Sequence, residues 1–327
     1  MISEIKDWAL LGTVLALLAT ATLVGQWLQR QTTLGIDERS VKSFNSRVQA
    51  WWASSVLVGV AFFSPKLTVV LFGLLSFWAL REFITLTPTR MGDHRALFWV
   101  FFFFTPMQFV LVASENYSFY SILIPVYAFL FIAARVAVSG DVTRFLERVA
   151  KIQFGLLVCV YCLSFAPALL FLKCRVVAVE DDVAVEDTAA GARMLLFFVT
   201  IVLFSELLQF ICGRLFGKHV IAEPIDPMRT WEGVLAGGAA TAVAGIMLYW
   251  ATPFHHWWQA GAMSVLIAVM ASAGALTMAA IKRDRGEVSS DTLIESHGGV
   301  LSRIDALCFA APVFYHVTKY FFGADGP

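Results

Sequence analysis

An acidic residue stands inside one of the most apolar stretches of the chain. Glu206 lies within residues 194–212, about two helical turns before the stretch ends. A charged side chain in a membrane helix is energetically costly and marks a candidate functional site. Gln209 follows three residues later and shares its helical face. Glu206 is therefore a candidate functional residue, and the alternative is a hydrogen bond between helices.

The residues that follow form a first polar segment, residues 213–233, which is rich in glycine and cations. It begins Gly-Arg-Leu-Phe-Gly-Lys and ends Thr-Trp-Glu-Gly. Backbone N–H groups and cations at a helix end can hold phosphates. A short basic loop is also typical of the cytoplasmic face of any membrane protein, so two interpretations stand. Gly233 and Gly237 have the GxxxG spacing that favours close helix packing.

A second polar segment, residues 282–305, is the longest in the chain and lies between two apolar stretches. The triplet His-Gly-Gly at 297–299 predicts a tight turn beside an imidazole. Arg303 and Asp305 stand at the start of the last apolar stretch. Cations with free backbone N–H groups suit a polyphosphate, and carboxylates suit its Mg²⁺. The segment therefore predicts a polyphosphate site.

The order and spacing of these motifs resemble those of a known enzyme family. Lys-Arg at 282–283, His-Gly-Gly at 297–299 and Arg-Ile-Asp at 303–305 are similar to the signature of the phosphatidate cytidylyltransferases (CDP-diacylglycerol synthases). That signature reads Lys-Arg, a short spacer, Lys-Asp, His-Gly-Gly and Asp-Arg-x-Asp. The first polar segment resembles the family's Gly-Arg-x-Phe-Gly-Lys and Thr-x-Glu-Gly. The resemblance is specific over about residues 205–311, and before them only a layout of many helices is shared.

The resemblance implies transfer of a cytidylyl group from CTP to a membrane lipid phosphate, phosphatidate, with release of pyrophosphate and with Mg²⁺ as cofactor. The residues it implies for catalysis are Lys282, Arg283, His297, Arg303 and Asp305. Those it implies for binding the nucleotide are Arg214, Lys218, Thr230, Glu232, Gly233, Gly298 and Gly299. The metal ligands it implies are Glu206 and Asp305.

Several acids of the family pattern are replaced in this chain. Ala275, Ser289 and Ser302 each stand where the family has Asp, and Glu206 replaces an Asp. Because a two-metal phosphoryl site needs several carboxylates, we expect weak or altered catalysis with Mg²⁺. Two alternatives to the enzyme remain: a paralogue that binds lipid or nucleotide without turnover and, less favoured, a transporter.

The composition of the chain indicates which elements must position these residues. Of the 327 residues, 59% are apolar and 15% are charged, whereas soluble domains have about 45–50% and about 25%. The mean hydropathy is +0.74. These values exclude a soluble enzyme and predict an all-α polytopic integral membrane protein. The net charge of zero does not suggest a nucleic-acid partner.

Ten apolar stretches, some of them shorter than the roughly 20 residues that a span needs, predict about ten transmembrane helices. They cover residues 8–27, 51–64, 67–80, 97–113, 119–134, 152–172, 194–212, 233–254, 257–281 and 306–322. Residues 140–151, which have one apolar and one basic face, are interpreted as a short helix on the membrane surface.

Alternate loops between these stretches hold 18 of the 24 Lys and Arg residues on one side. This bias predicts that both polar segments face the cytoplasm, at the inner membrane if the protein is bacterial. The chain divides into residues 1–192, with about six spans, and residues 193–327, which carry the candidate site. A homodimer is compatible with this layout.

Overall fold

The computed structural model describes residues 59–87, 89–173, 190–286 and 299–323, together with isolated positions before residue 59. Long helices dominate these residues, in agreement with the predicted fold class. They are α1 Pro65–Leu86, α2 Met91–Ala113, α3 Tyr117–Ala137, α4 Phe145–Phe171, α5 Ala190–Phe216, α6 Trp231–Met247, α7 Trp257–Asp284 and α8 Leu301–Phe322. The sequence did not predict the short antiparallel hairpin between α5 and α6, which consists of β1 Val220–Ala222 and β2 Asp226–Thr230.

Six helices in the described part of the chain, α1 to α5 and α7, are long and apolar enough to cross a membrane. This finding agrees with a polytopic membrane protein. Helix α6 is shorter, with 17 residues, and α8 begins with polar turns. Most of the predicted stretch 8–27 and of 51–58 lies outside the described residues, so the total of about ten spans stays a prediction.

Helix α4 differs from its prediction. It starts at Phe145 and continues without a break to Phe171, so the separate surface helix predicted for residues 140–151 was wrong. That prediction placed Arg148 on a solvated basic face. Arg148 is in fact 5% exposed and forms an ion pair with Asp93 of α2 at 2.6 Å. A buried partner, rather than the membrane surface, explains the charge of Arg148.

Small residues let the last four helices approach closely. A Cβ at Gly237 of α6 would be 2.5 Å from the Cα of Gln209 in α5, and one at Gly233 would be 2.8 Å from the Cα of Gly213. Neither position has room for a side chain, which confirms the close packing predicted from the GxxxG spacing. Helix α7 packs against both α6 and α8. Helices α5 to α8 therefore form one packed unit.

Helix α1 connects the N-terminal helices to α8. It packs against α2, α4 and α8. A Cβ at Gly155 of α4 would be 2.5 Å from the ring of Phe83, so α4 and α1 are in direct contact near the C-terminal end of α1. This packing brings the last turns of α1 beside the first turn of α8.

Candidate active site

The first polar segment folds into the hairpin at the end of α5. Val220 lies opposite Thr230, and Ala222 lies opposite Asp226. Thr230 is the N-cap of α6, because its hydroxyl accepts a hydrogen bond from the N–H of Gly233 at 3.2 Å. Two residues that the resemblance assigns to nucleotide binding, Thr230 and Gly233, thus form the junction between the hairpin and the helix.

Glu232 connects the start of the hairpin to the first turn of α6. One carboxylate oxygen accepts hydrogen bonds from the N–H groups of Lys218 and His219, each at 3.1 Å. The other lies 2.5 Å from Nδ1 of His219. The bond to the His219 ring, followed by the bonds from the backbone, lowers the pKa of the Glu232 carboxyl to about 2. The carboxylate is therefore ionised at neutral pH and is occupied in shaping the loop that carries Lys218.

The two cations predicted in this segment are open to solvent. The side chains of Arg214 and Lys218 are both exposed. The guanidinium carbon of Arg214 lies 5.4 Å from the ring centroid of Phe210, which is a cation–π distance. Both cations are therefore accessible to an anion at this end of α5.

Gln209, which shares a helical face with Glu206, makes hydrogen bonds between helices of the kind that the sequence offered as the alternative role of Glu206. Its Nε2 donates to the carbonyl of Ala268 at 3.2 Å, and its Oε1 accepts from the hydroxyl of Ser272 at 2.7 Å. Gln209 is buried, and these bonds hold α5 against α7. Glu206 lies one turn earlier in α5 and is half-buried. Its role as a metal ligand stays a prediction.

The two ends of the second polar segment meet. Residues 287–298, which include His297 and Gly298, lie outside the described residues. At the end of α7, the ammonium group of Lys282 donates a hydrogen bond to the hydroxyl of Ser302. This bond joins the C-terminus of α7 to the first turn of α8.

The other predicted residues of this segment differ in exposure. Arg303 is exposed on α8, and Arg283 is half-buried. Asp305 is 7% exposed, and its Oδ1 accepts a hydrogen bond from the N–H of Ala306 at 2.7 Å. A Cβ at Gly274 would be 2.7 Å from the carbonyl oxygen of Asp305. Asp305 therefore lies in the contact between α7 and α8.

Helix α7 brings the two polar segments to one end of the unit. Its Ser272 bonds to α5 and its Lys282 bonds to α8, while β2 also packs against it. Helices α5 and α7 end at this side, and α6 and α8 begin there. The exposed side chains of Arg214, Lys218 and Arg303 therefore lie at the same end of the protein.

One carboxylate at this end was not predicted from the sequence. Glu82 of α1 accepts a hydrogen bond from the N–H of Leu301, the first residue of α8, at 3.1 Å. In the sequence Glu82 follows Arg81 just after an apolar stretch, where charged residues are expected in any membrane protein. Nothing in the neighbouring sequence distinguishes Glu82 from an ordinary charged residue of a loop.

The Mg²⁺ that the resemblance implies needs several oxygen ligands around one point. Within residues 59–87, 89–173, 190–286 and 299–323, no group of three or more His, Cys, Asp or Glu side chains could hold a metal ion. Asp305 and Glu232 already accept hydrogen bonds from the protein. A Mg²⁺ ion held by the described residues would therefore rest on one or two carboxylates together with the phosphates of the substrate.

Comparison with known proteins places these residues in a family. Residues 45–321 match the cytidylyltransferase family. "Uncharacterized protein YnbB" from Escherichia coli K12 is 30% identical over 95% of this chain and 97% of its own length. Phosphatidate cytidylyltransferases from Brucella suis and Haemophilus influenzae are 28% and 33% identical over 43% and 42% of this chain. The chain spans about half the length of these two enzymes, 52% and 48%. Because the family match covers most of the sequence, the chain belongs to the cytidylyltransferase family.

Proposed function

We propose that the protein transfers a cytidylyl group from CTP to a membrane lipid phosphate, phosphatidate, and forms CDP-diacylglycerol and pyrophosphate. Membership of the cytidylyltransferase family supports CTP as the substrate, and relatives named phosphatidate cytidylyltransferase support the lipid. The structural observation that carries the proposal is the position of Arg214, Lys218 and Arg303, which are exposed at one end of four packed helices.

In this reaction an oxygen of the lipid phosphate attacks the α-phosphorus of CTP. A bond forms between that oxygen and the α-phosphorus, and the bond from the α-phosphorus to the oxygen bridging to the β-phosphate breaks. Pyrophosphate leaves with the electron pair of that bond. The attacking phosphate is already ionised, so the protein contributes mainly positioning and neutralisation of charge. We assign this neutralisation to Lys282, Arg283 and Arg303, with Arg214 and Lys218 holding the outer phosphates.

The remaining predicted residues have supporting roles in this proposal. The resemblance assigns His297, Gly298 and Gly299 to a turn at the nucleotide. Thr230, Glu232 and Gly233 act through the shape of the hairpin. Mg²⁺, when bound, would neutralise phosphate charge, with Glu206 and Asp305 as its ligands. Because the described residues bring no three His, Cys, Asp or Glu side chains together, we assign no step to the metal.

A second candidate function is binding of CTP or lipid without turnover. Ala275 and Ser302 stand where the family pattern has Asp, and neither carries a carboxylate. Both positions favour binding without turnover. Ala275 has no ligand atom in its side chain. The hydroxyl of Ser302 accepts a hydrogen bond from the ammonium group of Lys282, so it is engaged by a cation of the site itself.

We also propose that the end with the two polar segments faces the cytoplasm. The distribution of Lys and Arg over the loops supports this orientation. A cytoplasmic site would give the protein direct access to CTP and to phosphatidate in the inner leaflet.

The proposal is tested with purified protein, labelled CTP, phosphatidate and either Mg²⁺ or Mn²⁺, with CDP-lipid as the product measured. Arg303→Ala should weaken CTP binding by about tenfold, because one charge-assisted contact is lost, and added salt should weaken binding by the unmodified protein. The matched control is Lys66→Ala, which removes an exposed cation about 24 Å from Glu82 along α1.

The outcomes separate the alternatives. Formation of CDP-lipid would support the enzyme, and CTP binding without product would select the non-catalytic function. If the unmodified protein does not bind CTP at millimolar concentration, the nucleotide role is refuted. Equal losses for Arg303→Ala and Lys66→Ala would show that the polar segments are not the binding site.

A further inference from the structure

The first turn of α8 has no capping side chain of its own. Its N-cap residue is Val300, which makes no side-chain capping bond. The first N–H groups of a helix have no acceptor within the helix. The N–H of Leu301 donates instead to Oε2 of Glu82 at 3.1 Å, and a carboxylate at this position also interacts favourably with the positive end of the helix dipole. Helix α1 therefore supplies the cap that α8 lacks.

Gly299 leaves the space that this carboxylate occupies. A Cβ added to Gly299 would overlap the carboxyl carbon and both oxygens of Glu82. The backbone of Gly299 does not have a positive φ, in contrast to Gly140 and Gly286. An added methyl group at this position would therefore have to displace the carboxylate of Glu82, and the backbone conformation does not itself demand glycine. The last glycine of the His-Gly-Gly triplet packs directly on a residue of the N-terminal helices.

The family pattern has an acid in this same first turn of α8. Position 302, next to Leu301, is Ser in this chain. Its hydroxyl bonds to Lys282. Glu82 thus brings a negative charge to the same turn from a different helix. The turn is consequently held from two sides, by Lys282 of α7 and by Glu82 of α1.

We propose that Glu82 is a positioning residue of the candidate site. Its carboxylate holds residues 299–301 in place, and this fixes the position of Arg303 relative to Lys282. Glu82 acts through these residues and does not itself touch the substrate. The inference rests on the proposed function only where it concerns CTP, because the contact between Glu82 and Leu301 can be measured without any ligand.

The test compares the full-length protein with Glu82→Ala, Glu82→Gln and Glu82→Asp in detergent. Hydrogen–deuterium exchange of the peptide covering residues 299–305 reports the Leu301 amide. Glu82→Ala should accelerate its exchange about tenfold or more, since the amide loses its acceptor. Glu82→Gln and Glu82→Asp keep an oxygen that can accept, and both should retain part of the protection. Gly299→Ala should accelerate exchange as Glu82→Ala does, because the added methyl displaces the carboxylate.

The second measurement is the dissociation constant for CTP and, where turnover occurs, the KM for each substrate. Glu82→Ala should weaken CTP binding about tenfold and leave the KM for phosphatidate unchanged. Glu82→Asp should restore the CTP affinity to within about threefold of the original value. If Glu82 only stabilised the fold, Glu82→Ala would lower the thermal stability. It would not weaken CTP binding selectively over phosphatidate, and Glu82→Asp would not restore the CTP affinity. The matched control is Glu115→Gln, which changes an exposed carboxylate in the turn after α2, near Lys319 and Gly323 at the other end of α8.

Each result bears on the proposal. Unchanged exchange of the Leu301 amide in Glu82→Ala would overturn it, and so would unchanged CTP affinity of that variant in a protein that binds CTP. If the unmodified protein does not bind CTP, the proposed function fails, but the exchange measurement still decides whether Glu82 holds the turn. Should Glu82→Ala not fold, Glu82→Gln and Gly299→Ala provide the same comparison.

Discussion

Removal of Arg148 should destabilise the protein far more than removal of a surface charge. Arg148 of α4 and Asp93 of α2 are 5% and 1% exposed. Oδ1 of Asp93 accepts hydrogen bonds from Nη2 of Arg148 at 2.6 Å and from Nε at 2.9 Å. Nη1 donates to the carbonyls of Asp141 and Thr143 at 2.8 Å and 3.3 Å. The pair therefore joins the start of α2, the loop before α4 and the start of α4 in a buried position.

The loss of stability depends on which member of the ion pair remains buried without its partner. In Arg148→Met, Asp93 keeps the bond from the N–H of Arg90 at 3.0 Å but its charge loses the guanidinium, which costs about 3–5 kcal/mol. In Asp93→Asn, the guanidinium keeps its ion pair with Asp141 at 3.0 Å, so we expect a smaller cost of about 1–2 kcal/mol. The double variant Asp93→Leu with Arg148→Met removes both charges and should recover most of the loss.

The free energy of unfolding in mixed micelles of detergent and SDS measures these differences. The matched control is Glu147→Gln on the same helix. The carboxylate of Glu147 is 43% exposed and lies 2.5 Å from the ammonium group of Lys151, an exposed i,i+4 pair worth about 0.3–0.5 kcal/mol. Equal losses for Arg148→Met and Glu147→Gln would refute the reasoning, because they would mean that Arg148 is solvated. A double variant no more stable than Arg148→Met would refute it as well, because the uncompensated charge would then not be the cause.

Two further predictions concern orientation and chemistry. Single cysteines introduced at Lys218 and Lys66 in a cysteine-free protein should react with impermeant reagents from opposite sides of the membrane, and labelling from the same side would contradict the proposed orientation. Ala275→Asp combined with Ser302→Asp should raise any Mg²⁺-dependent formation of CDP-lipid, because each restores a carboxylate of the family pattern. Robust turnover by the unmodified protein that is insensitive to Glu206→Gln would show that the site has been assigned to the wrong residues.

The features predicted from the sequence are those that depend on local patterns. Long apolar stretches require helices in a membrane, because each backbone N–H and carbonyl must be bonded within the segment. The spacing of Gly233 and Gly237 likewise predicts one close helix contact, and the structure has it against Gln209 and Gly213. The motifs of the two polar segments identified the family for the same reason, since their residues are near neighbours in the chain.

The features that were missed depend on contacts between distant residues. Glu82 and Leu301 are separated by 219 positions, and Asp93 and Arg148 by 55. A charged residue beside an apolar stretch has the same sequence signature whether it is solvated or buried against a partner. The choice between these states depends on helix packing, which places a carboxylate of α1 on the first turn of α8 and a guanidinium of α4 on Asp93.

The charges at the candidate site favour binding of an anion over binding of a metal. Three of its described carboxylates accept hydrogen bonds from the protein itself: Glu232 from the hairpin, Glu82 from Leu301, and Asp305 from Ala306. These bonds make the carboxylates part of the local fold, and no three His, Cys, Asp or Glu side chains of the described residues converge on one point. The guanidinium of Arg303, in contrast, is exposed and can meet a phosphate directly. Binding of CTP and its turnover should therefore be separable in this protein, with affinity carried by the cations and turnover limited by the missing acids.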